Sequence, residues 1–494
     1  MTCHALFSQR KRGEIITYAL LKQRIQEAAV FFKQIDKRIP IRIISNYDAD
    51  GISACAVLVK LMEVENRTYS TTILQQLTEK IVDGFAAEQY THYIFADLGS
   101  KHLKMMHEKM RQKRIIVLDH HELPVKKEYE NIMLVSPHLY DLDGGREISA
   151  SGVSFFFSIA VNEKVRCMAP IAIVGAIGDI QENNGFLPLN KEILDMATQQ
   201  ELITIKRGLR CFGTNTRPVH KILEYSNDPV IPGVSGSESA AINFLLQHGI
   251  NPQDEEGVWK TLNDLTEEER ARLIAAITMT RASHEDPEDI LGFQYVLCKE
   301  KEPTFRDAKE FATLLNACGR LNKASLGIGA CLANEKTQKK ALALMQDYRK
   351  EIAGSIRWFK EQRGKNGHII EDNGFIIINA KDHIRSSIIG TLASMLARSG
   401  EITQGTLILS MAQTDSDITK VSLRMVGENG KVELHKIVQA IVEKVGGEAG
   451  GHMQAAGAMI PTEKEQDFIE AAKEVMGNSA ALIGQHAMVD AKNN

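Results

Sequence analysis

The chain has 494 residues, of which 44% are hydrophobic and 25% are charged, proportions typical of a folded globular protein. A chain of this length predicts about three domains, each large enough to bury its own core. The formal net charge of −4 excludes a uniformly basic nucleic-acid coat. Local basic grooves remain compatible with it, because electrostatic steering depends on how charge is distributed.

Cysteine usage and hydropathy argue against a secreted or membrane protein. The seven cysteines are scattered and form no C-x-x-C pair, so neither a zinc knuckle nor a disulfide framework is indicated. Residues 1–12 are not followed by an apolar run of signal-peptide length. Apolar stretches such as residues 155–161 are shorter than the roughly 20 residues that cross a bilayer. We therefore expect a cytoplasmic protein without a membrane partner.

The first part of the chain predicts a leading helix and then a parallel sheet. Residues 14–34 have the apolar spacing of an amphipathic helix. Four short apolar runs follow, each ending in a polar loop: residues 41–44, 93–96, 115–118 and 132–135. Helix-like stretches at 52–62 and 101–112 follow the first two loops. This repetition predicts an α/β fold with helices on both faces of a parallel sheet, whose ligands bind at the carboxyl ends of the strands.

The second half of the chain predicts a helical region and a further α/β domain. Residues 200–305 have mixed charge and no clear strand alternation, which predicts helices. Five basic residues there have no acidic residue among them: Lys206, Arg207, Arg210, Arg217 and Lys221. Either they contact phosphate or they form a solvated helix face, and the second interpretation is favoured. Later segments predict strands at 375–379, 406–410 and 420–426, helices at 383–398 and 433–445, and a frayed or short helical tail after Gly477.

Acidic and histidine residues lie at the ends of the apolar elements of the first α/β region. They are Asp48, Asp50, Asp97, Asp119, His120, His121 and Asp179. Gly51 lets the backbone bend, so that the carboxylates of Asp48 and Asp50 can face one site. Carboxylate and imidazole ligands together favour manganese, zinc or iron over magnesium alone. Alone, each motif is most often a turn or a helix cap; together they predict a two-metal phosphoesterase in which Asp97 bridges the ions.

The order D-x-D-G, D, D-H-H, D resembles the DHH phosphoesterase superfamily. Residues 450–457, Gly-Gly-His-Met-Gln-Ala-Ala-Gly, resemble the signature of its associated substrate-binding domain, the DHHA1 domain. This pairing is typical of RecJ-type exonucleases and of relatives that degrade oligonucleotides. Four further stretches resemble archaeal RecJ-like proteins: residues 135–138, 148–153, 231–236 and 314–321. The resemblance covers roughly residues 38–470.

The resemblance implies a parallel-sheet DHH domain, a helical insert and a smaller α/β DHHA1-type domain across a cleft. The expected boundaries are an N-terminal helical segment at 1–37, the DHH catalytic domain at 38–200, the insert at 201–305, linking helices at 306–365, the DHHA1-like domain at 366–475 and a tail at 476–494. Two Mn²⁺ ions, with Mg²⁺ as a substitute, would be held by Asp48, Asp50, Asp97, His120 and Asp179. His121 would contact the scissile phosphate, and Asp119 would orient its neighbours.

One departure from the family pattern affects the expected metal site. Family members often have a histidine two or four residues before D-x-D, where this chain has Asn46 and Ile44. One metal ion would then have fewer protein ligands, and its affinity would be weaker. The departure therefore bears on the rate and the metal preference more than on the reaction itself.

A second group of residues is expected to bind substrate. Gly450 and Gly451 allow backbone N–H groups to approach an anion, and His452 adds a donor. Ser422 and Arg424 alternate along a strand and share a face, where the guanidinium can bind a phosphate through two hydrogen bonds. Weaker candidates are Arg385, Asn316 and Arg320.

Three functions are compatible with these features. The first is a single-strand-specific exonuclease acting on DNA, RNA or both in replication or repair. The second keeps the chemistry but acts on oligoribonucleotides or cyclic dinucleotides. The third is a replication scaffold, related to the replicative-helicase subunit, whose insert at 201–305 docks GINS-type factors. Intact acidic and histidine motifs argue against a purely structural role, because a scaffold does not need a costly cluster of carboxylates.

Overall fold

The structure is a computed structural model that describes residues 3–183, 185–226, 229–282, 287–365, 367–414, 417–427, 432–451 and 455–493. The chain divides into two compact units, Met1–Met345 and Gln346–Asn494. The mixed α/β class expected from the sequence is confirmed. Among the described residues, no helix combines the length and apolar character that a membrane span requires.

The helices and strands of the first unit follow one another along residues 3–331. In chain order they are α1 (Cys3–Lys33), β1 (Ile41–Asn46), α2 (Ala49–Val64), β2 (Tyr69–Leu74), α3 (Glu79–Ala87), β3 (His92–Ala96), α4 (Leu103–Lys109), β4 (Arg114–Leu118), β5 (Ile132–Val135), α5 (Ala150–Val161), α6 (Ala169–Gly178), α7 (Pro188–Gln199), β6 (Ile203–Leu209), α8 (Val219–Glu224), α9 (Glu238–Gln247), α10 (Glu267–Thr280), β7 (Leu291–Leu297), α11 (Pro303–Arg306), α12 (Ala308–Arg320) and α13 (Ala324–Cys331).

A five-stranded parallel sheet forms the centre of the first unit, with strand order β2-β1-β3-β4-β5. Buried β-branched residues such as Ile43 and Ile94 give the central strands their continuous apolar character, as expected for a sheet covered on both faces. The predicted parallel sheet is therefore confirmed. Strand β2 was not predicted, because its sequence Tyr-Ser-Thr-Thr-Ile-Leu is half-buried at the sheet edge and lacks an apolar run.

Helices α2, α5 and α6 pack tightly behind the ends of the strands. Most of α2 is buried, and α6 consists almost entirely of small and β-branched buried residues. A Cβ atom at Gly178 would lie 2.6 Å from the Cβ of Ala49, so only glycine allows this approach between α6 and α2. This packing brings the end of α6 beside the start of α2.

Residues 200–305 differ from the helical region that the sequence predicted. Strands β6 and β7 form a two-stranded antiparallel sheet at the two ends of this insert, so the expectation of helices alone was wrong here. The reason is visible in β6, whose central residues 204–207 are all exposed and include two consecutive cations, so no apolar alternation appears. Between the two strands, residues from Leu209 to Ile290 bury a separate hydrophobic core.

The basic residues of the insert do not form one solvated helix face. Lys206 and Arg207 are exposed on β6, whereas Lys221 forms ion pairs with Glu224 and Glu238 in the helical part. The guanidinium of Arg217 lies over the rings of Phe212 and Tyr225. The prediction of a helix face was therefore wrong for Lys206 and Arg207, which lie on a strand.

The second unit is built on a six-stranded mixed sheet. Helix α14 (Glu335–Gln362) spans the boundary between the units, and the elements that follow are β8 (Ile369–Asp372), β9 (Phe375–Asn379), α15 (Ser386–Ala397), β10 (Leu407–Gln413), β11 (Ile418–Met425), α16 (Leu434–Val445), β12 (Glu448–Gly451), β13 (Ala456–Pro461) and α17 (Glu465–Asn493). The strand order is β12-β13-β11-β10-β9-β8, and only β9 and β10 are parallel neighbours. Helices α16 and α17 cover the apolar face around Leu409, Val438 and Phe468.

Helix α12 packs closely against the chain before α2 at Gly319, where a Cβ atom would overlap the carbonyl oxygen of Tyr47. We expect Gly319→Ala to lower the free energy of unfolding by about 1–3 kcal/mol, the usual cost of overpacking a core, measured by thermal denaturation. Gly84→Ala in α3 is the matched control, since nothing lies within 4 Å of a Cβ there. An equal loss of stability in both variants would contradict the close contact.

Candidate metal centre

The acidic and histidine residues lie at the carboxyl ends of neighbouring strands. Asp48 follows β1, Asp97 follows β3, and Asp119 follows β4. These strands are adjacent in the sheet, so the loops that leave them start side by side. Asp179 comes from a different direction, at the C-terminal end of α6.

Two helix N-termini hold the carboxylates of the D-x-D-G turn. Asp48 caps α2, and its Oδ1 accepts a hydrogen bond from the backbone N–H of Gly51 at 3.0 Å. The buried Asp50 accepts from the backbone N–H groups of Ala150 and Ser151, at 2.7 and 3.0 Å, at the start of α5. Helix N-termini stabilise negative charge, so the start of α5 offsets the charge of the Asp50 carboxylate through backbone hydrogen bonds.

Asp97 is held in a strained and buried position. Its φ of 60° lies in the left-handed region, which is uncommon for residues other than glycine. Neither carboxylate oxygen has a hydrogen bond of normal geometry among the described residues, although Nε2 of His120 lies 3.3 Å from Oδ1. Burial, followed by the charge of Asp48, raises the pKa of Asp97 well above its usual value. A buried carboxylate without compensating charge fits a cation bound at this point.

His120 is oriented by a hydrogen bond to the backbone of the loop before α5. Its Nδ1 donates to the carbonyl oxygen of Gly144 at 2.8 Å, since a carbonyl can only accept. Its Nε2 then faces Asp179 Oδ2 at 3.2 Å and Asp50 Oδ2 at 3.9 Å, as well as Asp97. Burial lowers the pKa of His120, but the three carboxylates outweigh burial and raise it well above its usual value. An imidazole with one nitrogen fixed by a carbonyl is a typical metal ligand.

The carbonyl of Gly144 is itself held in place. It also accepts a hydrogen bond from Gln181 Nε2 at 2.9 Å, and Gln181 accepts one from Asn190 at 2.7 Å. A Cβ atom at Gly144 would overlap the carbonyl oxygen of His120. The sequence analysis did not identify Gly144, Gln181 and Asn190 as residues that position His120. The consecutive glycines at 144 and 145 were the one sequence feature that pointed to a close backbone approach here.

Asp119 fixes the segment that carries both histidines. Its Oδ2 accepts from the backbone N–H of Ser100 at 2.9 Å. Its Oδ1 accepts from the backbone N–H of His120 at 2.8 Å and from His121 Nδ1 at 2.8 Å. Burial alone would raise the pKa of Asp119, but the charge of His121 and its hydrogen bond hold it well below the usual range. The geometry is compatible with an orienting role for Asp119, which stays a prediction.

Two overlapping groups of side chains can hold metal ions. In each group the ligand atoms lie within 4.8 Å of one another: Asp97, His120 and His121 form one, and Asp50, His120 and Asp179 form the other. Burial and the charge of Asp50 raise the pKa of Asp179 well above its usual value, so this centre also lacks positive charge. Carboxylate and imidazole ligands in this arrangement fit a divalent cation.

Asp48 and the residues before it stand slightly apart from these groups. Asp48 belongs to neither group, although its charge acts on both Asp97 and Asp179. Asn46 Oδ1 accepts a hydrogen bond from the backbone N–H of Tyr47 at 2.7 Å, and Ile44 is fully buried. Neither residue provides the imidazole ligand that related sequences have before D-x-D. Metal binding by Asp48 stays a prediction.

Asn316 lies in the first unit and contacts the turn after β1. Its Oδ1 accepts a hydrogen bond from the backbone N–H of Ala49 at 3.0 Å. The side chain thus holds the residue between Asp48 and Asp50. Arg320 lies one turn further along α12 and is half-buried. Substrate binding by Asn316 and Arg320 stays a prediction.

The other predicted substrate residues lie in the second unit. Ser422 of β11, Gly457 of β13 and Gly450 of β12 are in register across three strands. Arg424 lies on the same strand face as Ser422, and its Nε donates to Ser394 Oγ at 2.9 Å. Arg385 forms an ion pair with Glu351 at 3.0 Å. Gly451 ends β12, and His452 lies outside the described residues.

The parallel sheet, the carboxylates and histidines at its carboxyl edge, and the second α/β unit together define a phosphoesterase of the DHH type. Three family models match the chain: the DHH family N-terminal domain at residues 40–178, the DHH-CID domain at 211–290 and the DHHA1 domain at 372–478. The chain belongs to the DHH superfamily and is RecJ-like.

The chain is similar to other proteins along most of its length. An uncharacterized protein of Methanocaldococcus jannaschii is 27% identical over 92% of this chain and 99% of its own length. RecJ from Thermus thermophilus in complex with Mn²⁺ matches with 16% identity and a TM-score of 0.56. That match covers 92% of this chain but only 55% of RecJ, so the chain spans about half the length of that protein. An exonuclease RecJ bound to manganese matches with 17% identity, a TM-score of 0.54 and coverage of 92% and 94%.

The fold is also similar to that of a replication protein. CDC45 from Entamoeba histolytica matches with 11% identity and a TM-score of 0.61, over 94% of this chain and 99% of its own. At such low identity the likeness concerns the fold alone. The same architecture therefore occurs both in RecJ nucleases and in CDC45.

Metal binding can be measured without any substrate. We expect MnCl₂ to raise the unfolding temperature of the chain, because a ligand at about 100 times its Kd stabilises the folded state by about 2.7 kcal/mol. Asp97→Asn removes the buried uncompensated charge and should abolish most of this shift. Asp195→Asn is the control and should keep the shift, since the Asp195 side chain is about half exposed on α7. A full shift in Asp97→Asn would contradict a metal site at this carboxylate.

Asn316→Ala separates positioning from substrate contact. If Asn316 acts by holding Ala49, its removal should reduce the Mn²⁺-dependent rise in unfolding temperature, because the D-x-D-G turn loses a backbone hydrogen bond. The conservative Asn316→Asp retains an acceptor and should restore part of the shift. If Asn316→Ala shows the same Mn²⁺-dependent rise in unfolding temperature as wild type, the positioning role is contradicted and only substrate binding by Asn316 remains.

Proposed function

We propose that the chain is a metal-dependent, single-strand-specific exonuclease that hydrolyses phosphodiester bonds of DNA, RNA or both, in replication or repair. The observation that carries the proposal is the buried cluster of Asp50, Asp97, His120 and Asp179, which has no purpose in a purely structural sheet edge. The similarity to RecJ structures that contain Mn²⁺ or Mg²⁺ supports the same chemistry.

Two Mn²⁺ ions, with Mg²⁺ as a substitute, would supply Lewis-acid activation of the phosphate and of the attacking water. Asp50, Asp179 and His120 would hold one ion. Asp48 would contribute to the other. Asp97 is the proposed shared ligand, because its Oδ1 lies 3.3 Å from His120 Nε2 and the charges of Asp48 and Asp50 both raise its pKa.

The chain's own residues would orient the phosphate. Asp119 accepts a hydrogen bond from Nδ1 of His121, which fixes the ring and keeps the proton on that nitrogen. With Nε2 also protonated, its N–H at the opposite edge of the ring would donate a hydrogen bond to the scissile phosphate and stabilise its developing charge. Ser422, Arg424 and the backbone of Gly450 and Gly451 are the proposed contacts to neighbouring phosphates, which would make binding sensitive to salt and indifferent to sequence.

A replication scaffold is the second candidate, and the similarity to CDC45 favours it. The insert exposes several large apolar side chains that a GINS-type partner would cover: Tyr225, Val230, Leu246, Val258, Trp259 and Met279. Partner binding by the insert and hydrolysis at the metal centre use different residues, so both can occur in one protein.

The proposed activity is tested with end-labelled single-stranded DNA, single-stranded RNA and duplex DNA in MnCl₂. We expect mononucleotides to be released from one end of the single strands, and His121→Ala to slow release by about 10²–10³-fold, the usual effect of losing one donor to a developing charge. Asp195→Asn is the matched control. The labelled end that shortens first reveals the polarity.

Three other outcomes would contradict the main proposal. Cleavage limited to dinucleotides or cyclic dinucleotides would support the oligonucleotide phosphodiesterase. Absence of hydrolysis together with tight binding of purified GINS would support the scaffold. Equal hydrolysis by wild type and His121→Ala would contradict the proposed contact between His121 and the scissile phosphate.

A further inference from the structure

A pocket of about 500 Å³ lies beside the metal centre in the first unit. One wall is the β6–β7 sheet and the loop after β6. The other wall includes Ile177 and Glu182, the residues two before and three after Asp179. Three residues of chain span at most about 11 Å, so the pocket opens close to the proposed metal ligands.

Two exposed side chains of the pocket wall lie on the small sheet. Arg207 of β6 and Phe293 of β7 are directly opposite one another, so both project from the same face. Phe293 is 55% exposed, and Arg207 is exposed with no ion-pair partner among the described residues. An exposed ring beside an uncompensated guanidinium offers a stacking surface and an anion contact at the same point.

The acidic groups of the pocket are already occupied. Asp289 pairs with Arg281 at 2.5 Å and with Arg210 at 3.7 Å. Glu182 lies 3.9 Å from Lys309. The carboxylate of Asp307, the third acidic residue, caps α12 and accepts a hydrogen bond from an asparagine side chain. Arg207 therefore adds a positive charge that no acidic side chain of the pocket offsets, and an anionic ligand is favoured.

We propose that this pocket binds one unpaired nucleotide of a single-stranded nucleic acid, with its base on Phe293 and its phosphate on Arg207. The inference rests on the proposed function, since the strand would extend from the pocket to the metal centre. A pocket of this volume lies within the range of small-ligand sites. A base inside a duplex has no free face for the ring, so the pocket selects single strands.

The test uses the full chain carrying His121→Ala, in MnCl₂, so that a bound oligonucleotide survives. Fluorescence anisotropy of labelled 20-mers of oligo(dT) and oligo(U) measures affinity. We expect Phe293→Leu and Arg207→Gln to weaken binding by about tenfold, as expected for loss of one stacked base or one desolvated phosphate contact. Lys206→Gln is the matched control, because Lys206 is exposed on the opposite face of β6 and should bind as tightly as the parent.

Stacking has its own readout. In strands with a single 2-aminopurine, we expect strong quenching at one position only, and recovery of that fluorescence in Phe293→Leu. Unfolding temperatures equal to the parent's exclude misfolding, since both side chains are exposed. Unchanged affinity and quenching in both variants overturn the inference, even if the wild type hydrolyses single strands.

Two further results separate this inference from the proposed function. Absence of hydrolysis by the wild type, with binding that still depends on Arg207 and Phe293, defeats the exonuclease but keeps the pocket. If both variants still bind the oligonucleotides but no longer bind purified GINS, the surface belongs to protein association and the nucleotide site is overturned.

Discussion

The first unit depends on keeping several carboxylates buried within a few ångströms of one another. Like charges in a low-dielectric site repel strongly, and here the fold offsets that repulsion through backbone groups. The N-terminus of α5 holds Asp50, the backbone N–H groups after β3 and β4 hold Asp119, and His120 faces the remaining acids. The negative charges of Asp97 and Asp179 are not fully offset in this way, and a divalent cation would offset them.

This electrostatic requirement explains the packing around it. Gly178 lets α6 approach Ala49, and Gly175 leaves room for Asp50, whose Oδ1 would lie 2.6 Å from a Cβ at that position. Asp97 and the exposed Ile180 have left-handed backbone, with φ of 60° and 59°, and their N–H groups donate to the carbonyl oxygens of Leu118 and Ile177. Strained residues of this kind cluster where geometry matters for function, and here they immediately follow β3 and the end of α6.

The sequence predicted the strand ends well, because a β-branched run followed by an acidic residue is a local pattern. It could not predict contacts between distant segments. The hydrogen bond from Ala49 to Asn316 joins residues 267 positions apart, and the local sequence around neither residue predicts it. The β6–β7 sheet was missed for another reason: residues 204–207 of β6 are exposed on both faces and include two consecutive cations, so the usual alternation is absent.

The antiparallel pairing of Ile203 with Leu297 has a consequence for how this architecture can change over evolution. The polypeptide leaves the parallel-sheet part of the first unit at β6 and returns to it side by side at β7. The segment between them is attached there and at α12, where Asn215 and Thr216 donate hydrogen bonds to Asp307 and Glu310. Because that segment also buries its own apolar centre, changes in its outer part need not shift the strands that gather the acidic groups. Modules joined in this way are natural places for lineages to acquire new associations while the ancestral chemistry stays intact.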